Sequence, residues 1–493
     1  MTKYNPDSTY LFPDFHIKTL TRKRRSAQQI HRENQERLMR GSFHQLKRML
    51  EGFLPGSLLQ TNEHGAHSRE RFYSKANTFL AFLGQVLSED GSCQDVVHRL
   101  REQAQAQGCA RLPSASTAAY TKARSRLSSE ELSHAFYEGA GAVELEAERV
   151  FGRPLIAVDG TTLSMPDTKR CQEEWPQSSE QAKGIGFPLL KMVGAFSVDT
   201  GVLLDREVGN KHDHELTLLR KMNETFQKED ILAMDRAYCS YYDLALYTSK
   251  GVDVVVRNHQ ARKEISESDA VQVVAKKDRW IQWEKPMKRP NHVSKEQWAE
   301  IPEAMNVRQI TYGVEQAGFR SSRVVLITTL SEEAYSAEEV AEMYRARWLA
   351  EVSFRDLKRT IDTHTLRCKS PEMIQKELWV NLIAYNALCF LQKKAAEKVG
   401  LAKSRFSFKG CLQVLRAWEH RFRDWKASSK RLRSELYEHM AAKLLEIRPN
   451  RVEPRVNKKR PKKIRYMMKP RRILQAELLA NLPGQTPFKI PLS

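Results

Sequence analysis

The chain is 493 residues long and carries 81 Lys or Arg against 60 Asp or Glu, a net charge of +21. That length allows about two to four domains, and that charge makes a polyanion the natural partner. Seven scattered cysteines, with no C-x-x-C spacing, argue against zinc and a disulfide framework and suit a reducing cytoplasm. The apolar stretch Leu378–Leu391 is interrupted by Asn381 and Asn386. It falls short of the ~20 residues a membrane span needs, so it reads as a core helix, with no membrane partner.

In chain order, residues 1–40 are polar, with Arg22-Lys23-Arg24-Arg25, and read as a basic arm. Residues 41–150 carry helical periodicity. Ser92 is placed to cap a helix with a Val96, Val97, Leu100 face, and SASTAAYTKARSRL reads as another helix. Short helices of this kind serve equally as a DNA-binding helix-turn-helix or as an ordinary helical subdomain. Ser128-Ser129-Glu130-Glu131 predicts a capped helix to about Arg149.

Strands are expected from 154. PLIAVDGTTL, LLKMVGAFSV and GVLLDREVG are β-rich, with a turn at Asp199-Thr200-Gly201. His212-Asp213-His214 has metal-ligating residue types but reads rather as a solvated loop leading into a helix, Glu215–Phe226, ahead of a second buried-looking strand, ILAMD. Asp159 follows Leu155–Val158, and Asp235 follows Ile231–Met234. An acid ending a buried strand sits at the edge of a core, where α/β sheets bind ligands.

VDVVVRN gives another strand, and VVLITTL at 324–330 resumes the core. Between them lies a Lys/Arg-rich, β-rich insertion, expected at 258–322, with Trp280 and Trp283. The alternation around Ile281 favours packing both tryptophans on one strand face; stacking on an unpaired base is the other reading.

Residues 341–361, AEMYRARWLAEVSFRDLKRTI, read as one amphipathic helix. Met343, Ala346, Ala350, Phe354, Leu357 and Ile361 form its apolar stripe. At about 100° per residue, Arg347, Glu351 and Lys358 fall roughly 60°, 20° and 40° from Tyr344, on one polar stripe. Three carboxylates on rigid elements, Asp159, Asp235 and Glu351, can hold two Mg²⁺ ions roughly 3.5–4 Å apart for phosphoryl transfer. The neighbouring cations and phenol can hold phosphate.

These residues resemble the DDE transposases of bacterial insertion sequences with a YREK signature, the insertion-sequence-four family. The likeness rests on VDGTTL at 158–163, MDRAY at 234–238, and Y-x2-R-x3-E-x6-K within YRARWLAEVSFRDLKRT, followed by LRCKSPEMIQKELWVNLIAYN. It covers about residues 110–395. It implies a multidomain α/β chain: a ribonuclease-H-like core (151–257 and 323–395) interrupted by the insertion, with helical N- and C-terminal regions (41–150 and 396–493).

The resemblance further implies catalysis and metal binding by Asp159, Asp235 and Glu351. Mg²⁺ would be the cofactor, as two ions, with Mn²⁺ as a substitute. It implies DNA contacts from Tyr344, Arg347, Lys358, Trp348, Arg236, Trp280 and Trp283. The partners would be double-stranded DNA with terminal inverted repeats, target DNA, and a second copy of the chain in a synaptic homodimer. Cut-and-paste transposition through a hairpin, in the bacterial cytoplasm at the nucleoid, is the activity it implies. A transposase-derived binding protein without chemistry, or a nuclease without strand transfer, are the rival readings.

Residues 451–472 hold eleven Lys or Arg against one Glu. Each phosphate neutralised steepens the fall of log K with log salt by roughly 0.9. Deleting 451–493 is therefore expected to flatten that slope in a salt titration of DNA binding; an unchanged slope would show that the tail does not touch DNA.

Overall fold

The computed structural model describes Ser26 and residues 43–59, 72–106, 112–314, 322–424, 427–447 and 467–480. The basic arm at 1–40, apart from Ser26, and residues 451–466 of the cationic tail lie outside them. The chain divides into two units, one of Met1–Glu51, Gly56–Leu127 and Arg416–Arg433, the other of Gly52–Pro55, Ser128–Leu415 and Ser434–Ser493.

The first unit is helical: α1 (His44–Met49), α2 (Lys75–Leu87), α3 (Cys93–Ala106) and α4 (Ala118–Ser125). Ser92 bonds the Asp95 amide at 3.0 Å, the cap its position predicts. Gly84 of α2 lets Phe43 lie against the helix; a Cβ there would meet the Phe43 ring at 2.3 Å. Arg48 donates to the Asp424 and Ala427 carbonyls at 2.8 and 2.7 Å, which ties the distant 416–433 segment to α1. On α4, Arg124 turns inward and lies over the Phe82 ring.

The second unit is built on one nine-stranded sheet. Its strands are β1 (Leu155–Ser164), β2 (Leu189–Ser197), β3 (Leu203–Asn210), β4 (Ile231–Met234), β5 (Asp253–Arg257), β6 (Gln272–Ala275), β7 (Asp278–Glu284), β8 (Ala304–Val314) and β9 (Ser322–Thr328). Their order is β3-β2-β1-β4-β5-β9-β8-β7-β6. β3, β2 and β1 pair antiparallel; β1, β4 and β5 pair parallel; β9 then pairs antiparallel with both β5 and β8. The insertion therefore continues the core sheet.

Side chains alternate across the strands. Ile156, Val158, Leu232, Met234, Val254 and Val256 bury one face. That face is covered by α6 (Glu215–Lys221) and α7 (Tyr241–Ser249), which follow α5 (Ser129–Glu144) in the chain. Leu155, Ile231, Ala233 and Val255 bury the other, against Val340 and Met343 of α8 (Ala337–Ala346). Next come α9 (Trp348–Arg359) and the long, buried α10 (Pro371–Val399). Asn386 of α10 bonds both the amide and the carbonyl of Leu203, at 2.9 Å each, so this polar residue braces β3. Among the described residues no helix is long and apolar enough to cross a membrane.

Four boundaries differ from the sequence expectation. β1 does not end at Asp159; β2 holds it in register to Ser164↔Leu189. The 341–361 helix is two helices meeting at Arg347, where the bonds tighten to i→i−3: Arg347 N–H to Tyr344 O and Ala350 N–H to Arg347 O. The cause is packing: α8 lies on β4 and β5, and α9 on β1 and β2 of a twisted sheet. The helix from Glu215 stops at Lys221, and that from Ser129 stops at Glu144.

Inside the insertion, Arg308 is 1% exposed and Asp278 is 4% exposed. The two form a bidentate pair at 2.8 and 2.5 Å, and Arg308 also donates to the Tyr335 carbonyl at 2.6 Å. Asp278→Ala leaves a buried cation without its carboxylate. It should cost about 3–5 kcal/mol in chemical denaturation; a loss below about 1 kcal/mol would show that water reaches the pair.

Candidate active site

The site is set by a register. The last parallel pair of β1 and β4 is Val158↔Met234. Asp159 and Asp235 are the next residue on each side. By alternation both follow Leu155, Ile231 and Ala233 onto the face covered by α8. β4 ends there while β1 runs on beside β2, so the sheet has a notch at the two acids. Asp235 caps a single 3-10 turn, Arg236–Tyr238, its carboxylate accepting from the Arg236 amide at 2.7 Å.

Arg347, at the junction of α8 and α9, reaches into this notch with its side chain 12% exposed. Its guanidinium donates to Glu351 at 2.9 Å and lies 3.7 Å from Asp159. Glu351 comes from the first turn of α9, whose Ala350, Phe354 and Leu357 are buried. Burial pushes the Asp159 carboxyl up to about 6, against the Gly160 amide and Arg347, which lower it; Glu351 and Glu215 add to the rise.

Tyr344 is half-buried with Arg347 over its ring at 5.7 Å, and burial raises its hydroxyl. Lys358 is partly buried, which lowers its amine. Trp348 opens α9 with 58% of its surface exposed. Arg236 is exposed and reaches Gln260 at 3.2 Å.

The two insertion tryptophans do not share a face. They are three residues apart in a strand with period two, so they point to opposite sides. The Trp280 indole donates to Glu332 at 2.7 Å. Trp283 packs edge-on against Tyr241 at 5.7 Å, with the Arg262 guanidinium 3.6 Å above its ring. His212 and His214 are exposed on the loop before α6, as expected, while Asp213 accepts from the Asn210 amide at 2.7 Å.

Two residues escaped the sequence reading. Arg257 follows Val256, which pairs with Met234, so it stands one strand over from Asp235 on the same edge. Its signal was present: VVVR ends an apolar run as AMD and AVD do. Glu215, the first residue of α6, borders Asp159 and accepts from the Tyr238 hydroxyl at 3.1 Å. Among the described residues no three His, Cys, Asp or Glu side chains are arranged to hold a metal ion.

Residues 150–387 match the family model described as the transposase DDE domain. This segment, a little under half of the chain, is therefore similar to the transposase DDE domain. The relatives it resembles are transposases of bacterial insertion sequences, in line with the YREK resemblance. The chain is 24% identical to the transposase InsG for insertion sequence element IS4 of Escherichia coli (strain K12), over 62% of this chain and 68% of InsG. It is 42% identical to the putative transposase InsL for insertion sequence element IS186A of the same strain, over 13% of this chain and 17% of InsL. Among solved structures, the piggyBac transposase synaptic complex with hairpin DNA aligns with a TM-score of 0.38 and 10% identity, covering 82% of this chain and 87% of that one. This likeness is too loose to bear on the fold.

The raised Asp159 carboxyl has a consequence for stability. The folded chain holds this proton to about pH 6, the unfolded chain only to about 3.8. The stability it contributes is complete below pH 3.8 and is lost as pH rises through 6. In chelator-treated protein Asp159→Asn should therefore unfold at higher temperature than wild type at pH 7. The gain is roughly 1–2 kcal/mol after discounting for partial exposure, and it should vanish near pH 4. A neutral or destabilising effect at pH 7 would show that Asp159 is not crowded.

Proposed function

We propose that the chain is the transposase of a bacterial insertion sequence, which binds terminal inverted repeats and cuts and joins DNA by in-line phosphoryl transfer. One observation carries this reading: Asp159 and Asp235 each directly follow the last register pair of β1 and β4 at a sheet notch, and Arg347 lies between Asp159 and Glu351. The order β3-β2-β1-β4-β5, antiparallel then parallel about β1, is that of a ribonuclease-H-like core and supports it.

The donor set suits a divalent cation. All three ligands would be carboxylates, the hard oxygen donors that Mg²⁺ takes, and burial, with a smaller push from Glu351 and Glu215, raises Asp159, so a cation there would be favoured. Asp159, Asp235 and Glu351 would hold two Mg²⁺ ions, or Mn²⁺; when bound they supply a lowered pKa at the attacking oxygen and charge relief at the leaving oxygen. Glu351 must first part from Arg347, its hydrogen-bond partner.

A DNA phosphate is the natural competitor for that guanidinium. Arg347, Lys358 and Tyr344 would hold it near the cleaved end, with Arg236 and Arg257 lining the same edge. Water attacks phosphorus at the element end and frees a 3′-OH. That hydroxyl attacks the opposite strand to give a hairpin, water opens the hairpin, and the 3′-OH attacks target DNA. Trp348, exposed beside Arg347, would contact the base displaced by hairpin formation. Two copies of the chain would pair two element ends in a synaptic homodimer.

Asp159→Asn, Asp235→Asn and Glu351→Gln should each abolish metal-dependent cleavage of a repeat-containing duplex and leave gel-shift binding largely intact. Arg347→Ala and Lys358→Ala should lower hairpin and strand-transfer yields at least about tenfold, the worth of a charge-assisted contact, and weaken capture of uncut ends less. Cleavage surviving in any acid variant would remove that acid from the site.

A further inference from the structure

We propose that Glu215 is a positioning residue that sets the separation of Asp159 and Asp235 from the opposite face of the sheet. This rests on the function proposed above. Backbone pairing between β1 and β4 ends at Val158↔Met234, so beyond that point the ladder no longer fixes how far apart the two acids stand. Asp235 is carried instead by the short turn Arg236–Tyr238.

Glu215 bridges the gap from beneath. It opens α6, whose Leu218 and Leu219 are buried on the face shared by Val158 and Met234. Its carboxylate lies against Gly160, the residue after Asp159; a Cβ there would come within 2.4 Å of Glu215 Cδ and displace it. The same carboxylate accepts the Tyr238 hydroxyl at 3.1 Å. Tyr238 is 1% exposed and closes the turn that Asp235 caps. One side chain thus touches the strand just past the first acid and the turn just past the second. Because it does so from the α6 face, it leaves the Asp159 and Asp235 oxygens on the α8 face free for other partners.

Outer groups of this kind typically tune metal affinity by about 10–100-fold. The test uses the full chain with Glu215→Ala, Glu215→Gln, Tyr238→Phe and Gly160→Ala. Two quantities are read: the Mn²⁺ concentration for half-maximal cleavage of a repeat-containing duplex, and amide exchange at Tyr238 and Cys239 without DNA or metal. Glu215→Ala, Tyr238→Phe and Gly160→Ala should raise the half-saturating Mn²⁺ about tenfold or more and speed that exchange. Glu215→Gln, which still accepts the tyrosine hydroxyl, should restore both. Unchanged Mn²⁺ dependence in Glu215→Ala overturns the proposal. So does a Gln variant as impaired as Ala, because the charge rather than the hydrogen bond would then be what matters. If Glu215→Ala does not fold, Tyr238→Phe and Glu215→Gln decide the question. Cleavage by Asp235→Asn would instead sink the functional reading, whatever Glu215 does.

Discussion

The guanidinium of Arg347 between Asp159 and Glu351 is the interaction on which the site depends. Like-charged carboxylates brought together in a half-buried notch repel one another and favour the protonated form. A single cation contributed by the junction of two helices offsets that repulsion and keeps the acids near one another. The position of Arg347 follows from its helices. α8 is anchored on β4 and β5, α9 on β1 and β2, and the tight turn between them points the side chain at the notch.

The sheet explains why the acids sit where they do. Parallel strands β1 and β4 present equivalent residues side by side, and the chain leaves the sheet on one of them while continuing on the other. An acid on a continuous strand is stiff, whereas an acid on the turn after a strand needs other contacts to hold it. The hydrogen bond from Tyr238 to Glu215 is one such contact, and Asp235 capping its own turn is another.

Much of this was legible in the sequence because the relevant signals are local. Asp159 and Asp235 each close an apolar run, and the apolar stripe from Met343 to Ile361 marks the buried side of α8 and α9. What was hidden depends on tertiary packing. Asp159-Gly160 has the composition of a turn, yet pairing with β2 carries the strand through it to Ser164. The segment around Arg347 contains neither Pro nor Gly, so nothing local announces a break; the break comes from two helices following different strands. Glu215 is more than fifty residues from Asp159 in sequence, and only the folded chain brings its carboxylate against Gly160. Trp280 and Trp283 separate on parity: a spacing of three cannot keep two strand residues on one face.

The double pairing of β9 changes what kind of object the insertion is. A module hung on a loop can be lost or exchanged without the host noticing. Here β9 is the shared seam, bonded to β5 on one side and β8 on the other. Excision of the segment up to this seam would strip β9 of a neighbour and leave a raw edge of unpaired amides and carbonyls, a template for sticking to other chains. Core and insertion are thus obliged to fold, and to change through evolution, as one fabric.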